Sequence, residues 1–271
     1  MSDHLTYREI PPSPPVAPYV RCLWHLKGTP AASNEPQPIV PDGCVEIVLN
    51  RADRFLRVQG ETRLQPAAMV VGQLSGPVVV LPSGAVDVWG VRLHPWSAAA
   101  FLGTPVIELN ESMIVLDSMR RELARFASIV DFEGADALVE RVLVEALARH
   151  ASECRAPDSG VRAAVELITG DATLPSIRMV GARLGRSTRW VQRTFRETIG
   201  LGPKMLVRIS RVQRAMRIAT AHPGRSWSSI AADVGYFDQS HLVRDFRQLV
   251  GCTPSEFLAR DRAITDAFIE A

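Results

Sequence analysis

Two spacings of apolar residues divide the chain. Up to residue 93 they fall in short blocks: Val20 to Leu26, Cys44 to Leu49, Phe55 to Gln59, Met69 to Gln73, Val78 to Leu81 and Val86 to Leu93. Turn chemistry separates several of the blocks, as in Pro41-Asp42-Gly43, Ser75-Gly76-Pro77 and Pro82-Ser83-Gly84, so the blocks are predicted β-strands. Short strands at this spacing predict a barrel or a sandwich. Between 106 and 150 the spacing becomes helical. Leu116, Met119, Leu123 and Phe126 form one stripe, and Leu138, Val139, Val142, Leu143 and Leu147 form another. Two helices are expected there, packed on the strands and equally able to supply a dimer face. Ala151 to Gly160, with Pro157, Asp158 and Ser159, reads as a hinge.

The C-terminal third contains a repeat. Arg193-Thr194-Phe195-Arg196 is followed by Gly200 and Pro203, and Arg244-Asp245-Phe246-Arg247 by Gly251 and Pro254, each fixed position displaced by 51 residues. Upstream, Val180-Gly181-Ala182-Arg183-Leu184-Gly185 matches Ile230-Ala231-Ala232-Asp233-Val234-Gly235 at a displacement of 50. Each copy reads as helix, tight turn, helix, with a small residue (Gly181 or Ala231) where two crossing helices approach closely.

The helical faces carry the chemistry. In the first copy Ser187 caps a helix running to about Ile199, with Val191, Phe195 and Thr198 on one side. Arg189, Gln192, Arg193 and Arg196 share the other side. Arg grips guanine O6 and N7, Gln pairs with adenine N6 and N7, and Arg also holds phosphate. In the second copy Asp238 is the expected cap, and Leu242, Phe246 and Leu249 form the apolar stripe. Ser240, Val243, Arg244 and Arg247 make its exposed face, with Gln239 and His241 near the tip. Because Ser240 and Val243 replace Arg189 and Gln192, the second copy is expected to read fewer bases. Between the copies, Pro203 to Ala221 is free of internal Gly and Pro, and its apolar positions repeat at helical spacing. The helix so predicted is a rod of roughly 28 Å, near the roughly 34 Å between successive major-groove faces on one side of B-DNA.

On these residues, positions 160 to 260 resemble the DNA-binding domain of the AraC/XylS regulators. The closing motif Gly251 to Arg260 (G-C-T-P-S-E-F-L-A-R) is similar to that family's signature, as are Arg211, Ala215 and Val234 to Leu242 (V-G-Y-F-D-Q-S-H-L). The resemblance implies seven helices with two helix-turn-helix subdomains. It places Arg189, Gln192 and Arg193 on the first reading helix and Gln239, Ser240, His241 and Arg244 on the second. In the N-terminal region Tyr7 to Pro15, Pro41 to Leu49 and Trp89 to Pro95 resemble an uncharacterised barrel-like domain found in one branch of these regulators. That likeness implies no particular ligand.

Charge separates the two parts. Residues 159–262 hold 17 basic and 8 acidic residues, a balance of +9, whereas the rest hold 14 and 21, a balance of −7, together the +2 of the whole chain. A basic domain joined to an acidic one fits a DNA footprint confined to the C-terminal part. No charged-then-apolar leader and no run of about 20 apolar residues occurs, so a cytoplasmic protein with no membrane partner is expected. Cys22, Cys44, Cys154 and Cys252 lack C-x-x-C spacing, which suits a reducing compartment.

The expected fold class is therefore α+β. Residues 1–105 form a β-rich sensing domain, 106–150 a helical packing or dimerisation segment, 151–160 a linker and 161–262 the double helix-turn-helix domain. Trp24, His25, Glu46, Trp89 and Arg92 are candidates for holding a small-molecule effector on the strands. A metal set of His25 and His94 with Glu46 or Asp42 and a thiol sensor of Cys22 and Cys44 are weaker alternatives, since no paired ligand motif occurs. A ligand-independent oligomerisation domain is a further alternative. No catalytic set, cofactor or metal is expected. Double-stranded DNA is the expected partner, with RNA polymerase, an effector and a second copy of the chain as further ones.

Overall fold

The structure is a computed structural model and describes residues 5–30, 35–170 and 176–259. Arg260 and the domain end expected at 262 lie outside the described residues, as do residues 1–4 of the expected N-terminal domain.

All six predicted strand blocks are strands. They appear as β2 (Val20–Gly28), β4 (Val45–Asn50), β5 (Leu56–Gln59), β7 (Ala68–Val71), β8 (Val78–Leu81) and β9 (Val86–Leu93). Four more join them: β1 (Leu5–Ile10), β3 (Gln37–Ile39), β6 (Glu61–Leu64) and β10 (Met113–Val115). The strands form two separate sheets, ordered β1-β2-β9-β4-β7-β10 and β3-β8-β5-β6, with every pair antiparallel. The arrangement is a sandwich and not a closed barrel, which decides between the two expected forms.

The larger sheet is covered on both faces. One face packs Trp24, Leu26 and Val88 against Phe55, Val78 and Val80 of the smaller sheet and its loops. The opposite face packs Leu23, Ile47, Trp89 and Val91 against Phe101 of α1 (Ala98–Leu102) and Leu143 and Leu147 of α3 (Asp136–Glu153). Burial on both sides explains why β2 and β9 read as near-continuous apolar runs. At the centre a Cβ on Gly90 would lie 1.9 Å from Trp24 Cε2, so the indole sits where only glycine leaves room.

The segment 106–150 differs from expectation. Leu138 to Leu147 lies within α3, but Leu116 to Phe126 is broken into short turns around the four-residue α2 (Arg121–Ala124). Leu116, Leu123 and Phe126 are still buried, so core packing satisfies the stripe without a continuous helix.

Among the described residues seven α-helices follow a short connection: α4 (Ser159–Thr169), α5 (Ile177–Arg183), α6 (Thr188–Thr194), α7 (Pro203–Ala221), α8 (Trp227–Asp233), α9 (Gln239–Val250) and α10 (Pro254–Ala259). Their apolar faces share one core, including Val191, Phe195, Val212, Met216, Leu242 and Phe246. No helix among the described residues is long and apolar enough to cross a membrane.

Candidate functional site

Both repeats fold as helix-turn-helix units with matching local chemistry. Ser176 and Ser226 cap the first helices, accepting from the N–H of Met179 and of Ser229, each at 3.3 Å. Gly185 and Gly235 take the left-handed conformation the turn needs, with φ of 62° and 79°. The turn closes when Arg186 N–H donates to Gly181 O at 2.8 Å in one unit and Tyr236 N–H to Ala231 O at 2.9 Å in the other. A Cβ on Gly181 would meet Arg186 O at 2.7 Å, which gives the glycine a steric reason in a helix that would otherwise favour alanine.

The second helices present the expected faces. Ser187 caps α6 by accepting from Trp190 N–H at 3.1 Å, and Asp238 caps α9 by accepting from His241 N–H at 2.7 Å. Val191 and Phe195 are buried, as are Leu242, Phe246 and Leu249. Arg189, Gln192, Arg193 and Arg196 are all exposed, as are Gln239, Ser240, Arg244 and Arg247, whereas His241 and Val243 are half-buried. In the first unit α6 passes into a π-helical turn, Phe195–Ile199, before the left-handed Gly200, whereas α9 runs unbroken to Val250. Arg196 therefore stands on a wider turn than its counterpart Arg247.

Phe237 was missed by sequence reasoning. It lies beside the α9 cap with 94% of its surface exposed. An aromatic ring in that position has no fold-stabilising role to explain it. Its signal was present only in being adjacent to the cap, since apolar type alone argues for burial.

The units are anchored by different contacts. Asp245, buried on α9, takes Arg208 of α7 at 2.8 Å and the hydroxyl of Tyr236 at 3.1 Å. Burial, with the Asp245 carboxylate beside it, pushes the Tyr236 hydroxyl well up from its ordinary pKa. The first unit has Thr194 at the equivalent place and leans on the N-terminal domain, where Asn110 Nδ2 donates to Gly200 O at 2.8 Å. The turn Pro41-Asp42-Gly43 abuts α7: Gln213 Nε2 donates to Pro41 O at 2.8 Å.

The five effector candidates are not brought together. Strand alternation puts Trp24, Glu46 and Arg92 on the face toward the smaller sheet, and His25 and Trp89 on the helix-covered face. Trp24 and Glu46 line an inter-sheet cavity of about 80 Å³ with apolar walls such as Phe55, Met69, Val80 and Met113. Arg92 belongs to an ion cluster behind it. Its guanidinium meets Glu46 Oε1 at 2.7 Å, Asp42 Oδ2 at 3.2 Å and Glu9 Oε1 at 3.3 Å. Burial opposes the charge of Arg92, but Glu46 and Asp42 outweigh it and hold the pKa well above the ordinary value.

His25 lies apart from Glu46 and Asp42, so the imagined metal set does not converge. It stacks on Trp89 at 4.0 Å and meets Asp87 at 2.9 Å. His25, Asp87 and Asp136 do approach within 4.8 Å, but Lys27 sits on Asp136 at 2.7 Å and Arg51 on Asp87 at 3.0 Å. Those cations already balance the carboxylates. Burial pushes the Cys22 thiol up to about 12 and the Cys44 thiol well above its ordinary value, which disfavours the thiolate a redox sensor needs.

Comparison with known proteins fits this geometry. Residues 180–260 match a family described as a helix-turn-helix domain, and residues 8–115 one described as a domain of unknown function (DUF6597). No curated protein matches the sequence. ToxT from Vibrio cholerae has a similar fold, at 10% identity and a TM-score of 0.50, over 94% of this chain and 98% of that one. A probable AraC family transcriptional regulator from Rhodopseudomonas palustris is 27% identical over 39% of this chain and 99% of its own, with a TM-score of 0.35. An AraC-type DNA-binding domain protein from Chromobacterium violaceum is 24% identical over 37% of this chain and 89% of its own, also with a TM-score of 0.35. Two helix-turn-helix units on a shared core lie in the part of the chain, 180–260, that matches a helix-turn-helix domain, so the chain carries a helix-turn-helix domain behind an N-terminal domain that matches one of unknown function.

Proposed function

We propose that α6 and α9 read duplex DNA and that the N-terminal domain governs how they do so. The observation that carries this reading is the pair of exposed polar helix faces, each opposite a buried apolar stripe, in one basic domain. In the first unit Arg189, Gln192 and Arg193 read base edges and Arg196 holds phosphate. In the second, Gln239, Ser240, His241 and Arg244 meet the groove. There Val243 contacts thymine methyls and Arg247 the backbone. Phe237 adds an apolar contact to the sugar or a thymine methyl at the edge of that site.

The domain limits at 105, 150 and 160 remain the working division of the chain. Control by a small molecule is part of this reading, with the apolar inter-sheet cavity of about 80 Å³, lined also by Trp24 and Glu46, as the place on the N-terminal domain from which a ligand site would open. RNA polymerase and a second copy of the chain are the further partners, with no catalytic turnover.

The test compares duplex binding by the full chain and by residues 157–271 over a range of salt. The fragment is expected to bind alone, with a log–log salt slope of roughly −0.9 per neutralised phosphate. A folded fragment and a folded chain that both lack salt-sensitive binding would sink the reading.

A further inference from the structure

Contacts to both reading units meet in one short piece of the N-terminal domain. β10 pairs with β7 at the edge of the larger sheet, with Met113 opposite Val71. The pairing continues into the adjoining loops, where Gly72 N–H donates to Ser112 O at 3.0 Å and Glu111 N–H to Gln73 O at 2.9 Å. On one side of this junction Asn110 Nδ2 holds Gly200 O, at the end of the first reading helix, at 2.8 Å. On the other side Ser75-Gly76-Pro77 lies against the end of the second. There a Cβ on Gly76 would come within 3.5 Å of Gln248 O, and one on Gly251 within 3.1 Å of Pro77. The buried Gln73 adds a third support: its Nε2 donates to Gly43 O at 2.8 Å, and a Cβ on Gly43 would meet Leu206 of α7 at 2.6 Å.

Glu111 joins the two sides. Its Oε1 accepts from Ser75 N–H at 2.7 Å, so the residue after Asn110 holds the residue before Gly76. It does so from a costly backbone, with φ of 56°, the one positive value outside glycine among the described residues. Glycine and asparagine take that conformation more readily. Glycine has no side chain to reach Ser75, however, and the asparagine side chain is shorter. Glu111 is also exposed, so core packing does not account for it. Backbone strain of this kind persists where the surroundings fix it, and it gathers at functional positions.

We propose that Glu111 is a positioning residue for DNA reading: it ties the loop against α9 to the turn against α6 and so sets the half-site spacing the chain accepts. Within the C-terminal domain α7 is the connector between the units, and the chain bends on either side of it at Gly202 and at His222 to Ser226. The junction around Glu111 closes a second link, from Gly200 through Asn110, Glu111 and Ser75 to Gly251. A frame closed on two sides resists changes of spacing that a single connector permits. Glu111 touches no base or phosphate in this account, and its role rests on the reading of α6 and α9 as the helices that meet DNA.

The test uses the full chain and two duplexes: one selected by the wild type from a randomised library, and the same duplex with two base pairs inserted between its half-sites. The insertion carries one half-site about 7 Å along and about 70° around the axis. The wild type should bind the lengthened duplex about tenfold or more weakly, because both units can no longer engage at once. Glu111→Gly keeps the left-handed turn and deletes the carboxylate; the ratio of its two affinities should shrink by about threefold or more. Glu111→Gln retains an acceptor for Ser75 N–H and should stay near the wild-type ratio. A smaller folded fraction, or the loss of one negative charge, changes both affinities alike and leaves the ratio where it was. An unchanged ratio in Glu111→Gly would overturn the inference, as would a wild type indifferent to the insertion or a Glu111→Gln variant that behaves like Glu111→Gly. Wild-type binding with any of these results removes only the role of Glu111, whereas no wild-type binding to any duplex removes the regulator reading and this inference with it.

Discussion

The two reading units share their caps, turn glycines and Arg pair, yet they are anchored to different partners. The second is fixed from within its own domain, because Asp245 draws Arg208 of α7 and the Tyr236 hydroxyl into a buried cluster. Among the described residues the first has no such cluster. Its π-helical end and Gly200 rest on the Val106 to Asn110 turn of the N-terminal domain. The second unit touches that domain more lightly, where a Cβ on Gly251 would come within 3.1 Å of Pro77. One sequence motif thus gives a self-supported reader and one whose support comes from the other domain. On the proposed reading, a signal in the N-terminal domain would reach DNA by its shortest route through the first unit, whose exposed face carries Arg189, Gln192 and Arg193.

Substitutions at the anchors sharpen this contrast. Asp245→Ala should have the largest effect, destabilising the C-terminal domain by about 2–4 kcal/mol, because it strands a partly buried guanidinium and a buried hydroxyl. Chemical denaturation of residues 157–271 measures it, and Thr194→Ala at the equivalent place should cost far less. Gly200→Ala comes next. The φ of 80° and a Cβ placed 2.5 Å from Asn110 Oδ1 together imply a loss of about 1–2 kcal/mol. Here full chain and fragment should differ, since only the full chain adds the clash to the backbone cost. Asn110→Ala is expected to be the mildest, at about 0.5–1.5 kcal/mol for one hydrogen bond. Thermal unfolding of the full chain should report it as a fall of a few degrees. Were Asn110→Ala silent while Gly200→Ala destabilised fragment and chain alike, the first unit would not be leaning on the N-terminal domain.

Most of the C-terminal domain was legible because its signals are local. Ser187, Asp238, Gly185, Gly235 and the α7 limits of Pro203 and Ala221 all follow from capping and turn rules within a few residues. The N-terminal strands were legible wherever apolar blocks marked them. β6 was not, since Glu61 to Leu64 is exposed throughout and shows no alternation, and Pro38 argued against β3. The effector candidates failed as a group for a non-local reason. Arg92 finds Glu46 only because β9 pairs with β4, and His25 finds Trp89 only because β9 also pairs with β2. That strand order cannot be deduced from the residues themselves. The anchors of the two units were hidden in the same way: Asp245 and Arg208 lie 37 residues apart and Asn110 and Gly200 lie 90 apart.

The central claim is unequal reading by two linked helices, and selection of bound duplexes from a randomised library by the full chain tests it most directly. Two half-sites about one helical turn apart are expected, with more sequence constraint under the first unit. Repeating the selection with Arg193→Ala should relax particular base pairs at a cost of about 1–3 kcal/mol, whereas Arg247→Ala should weaken all sequences evenly. A single half-site, or two halves of equal constraint that Arg193→Ala leaves unchanged, would contradict the account.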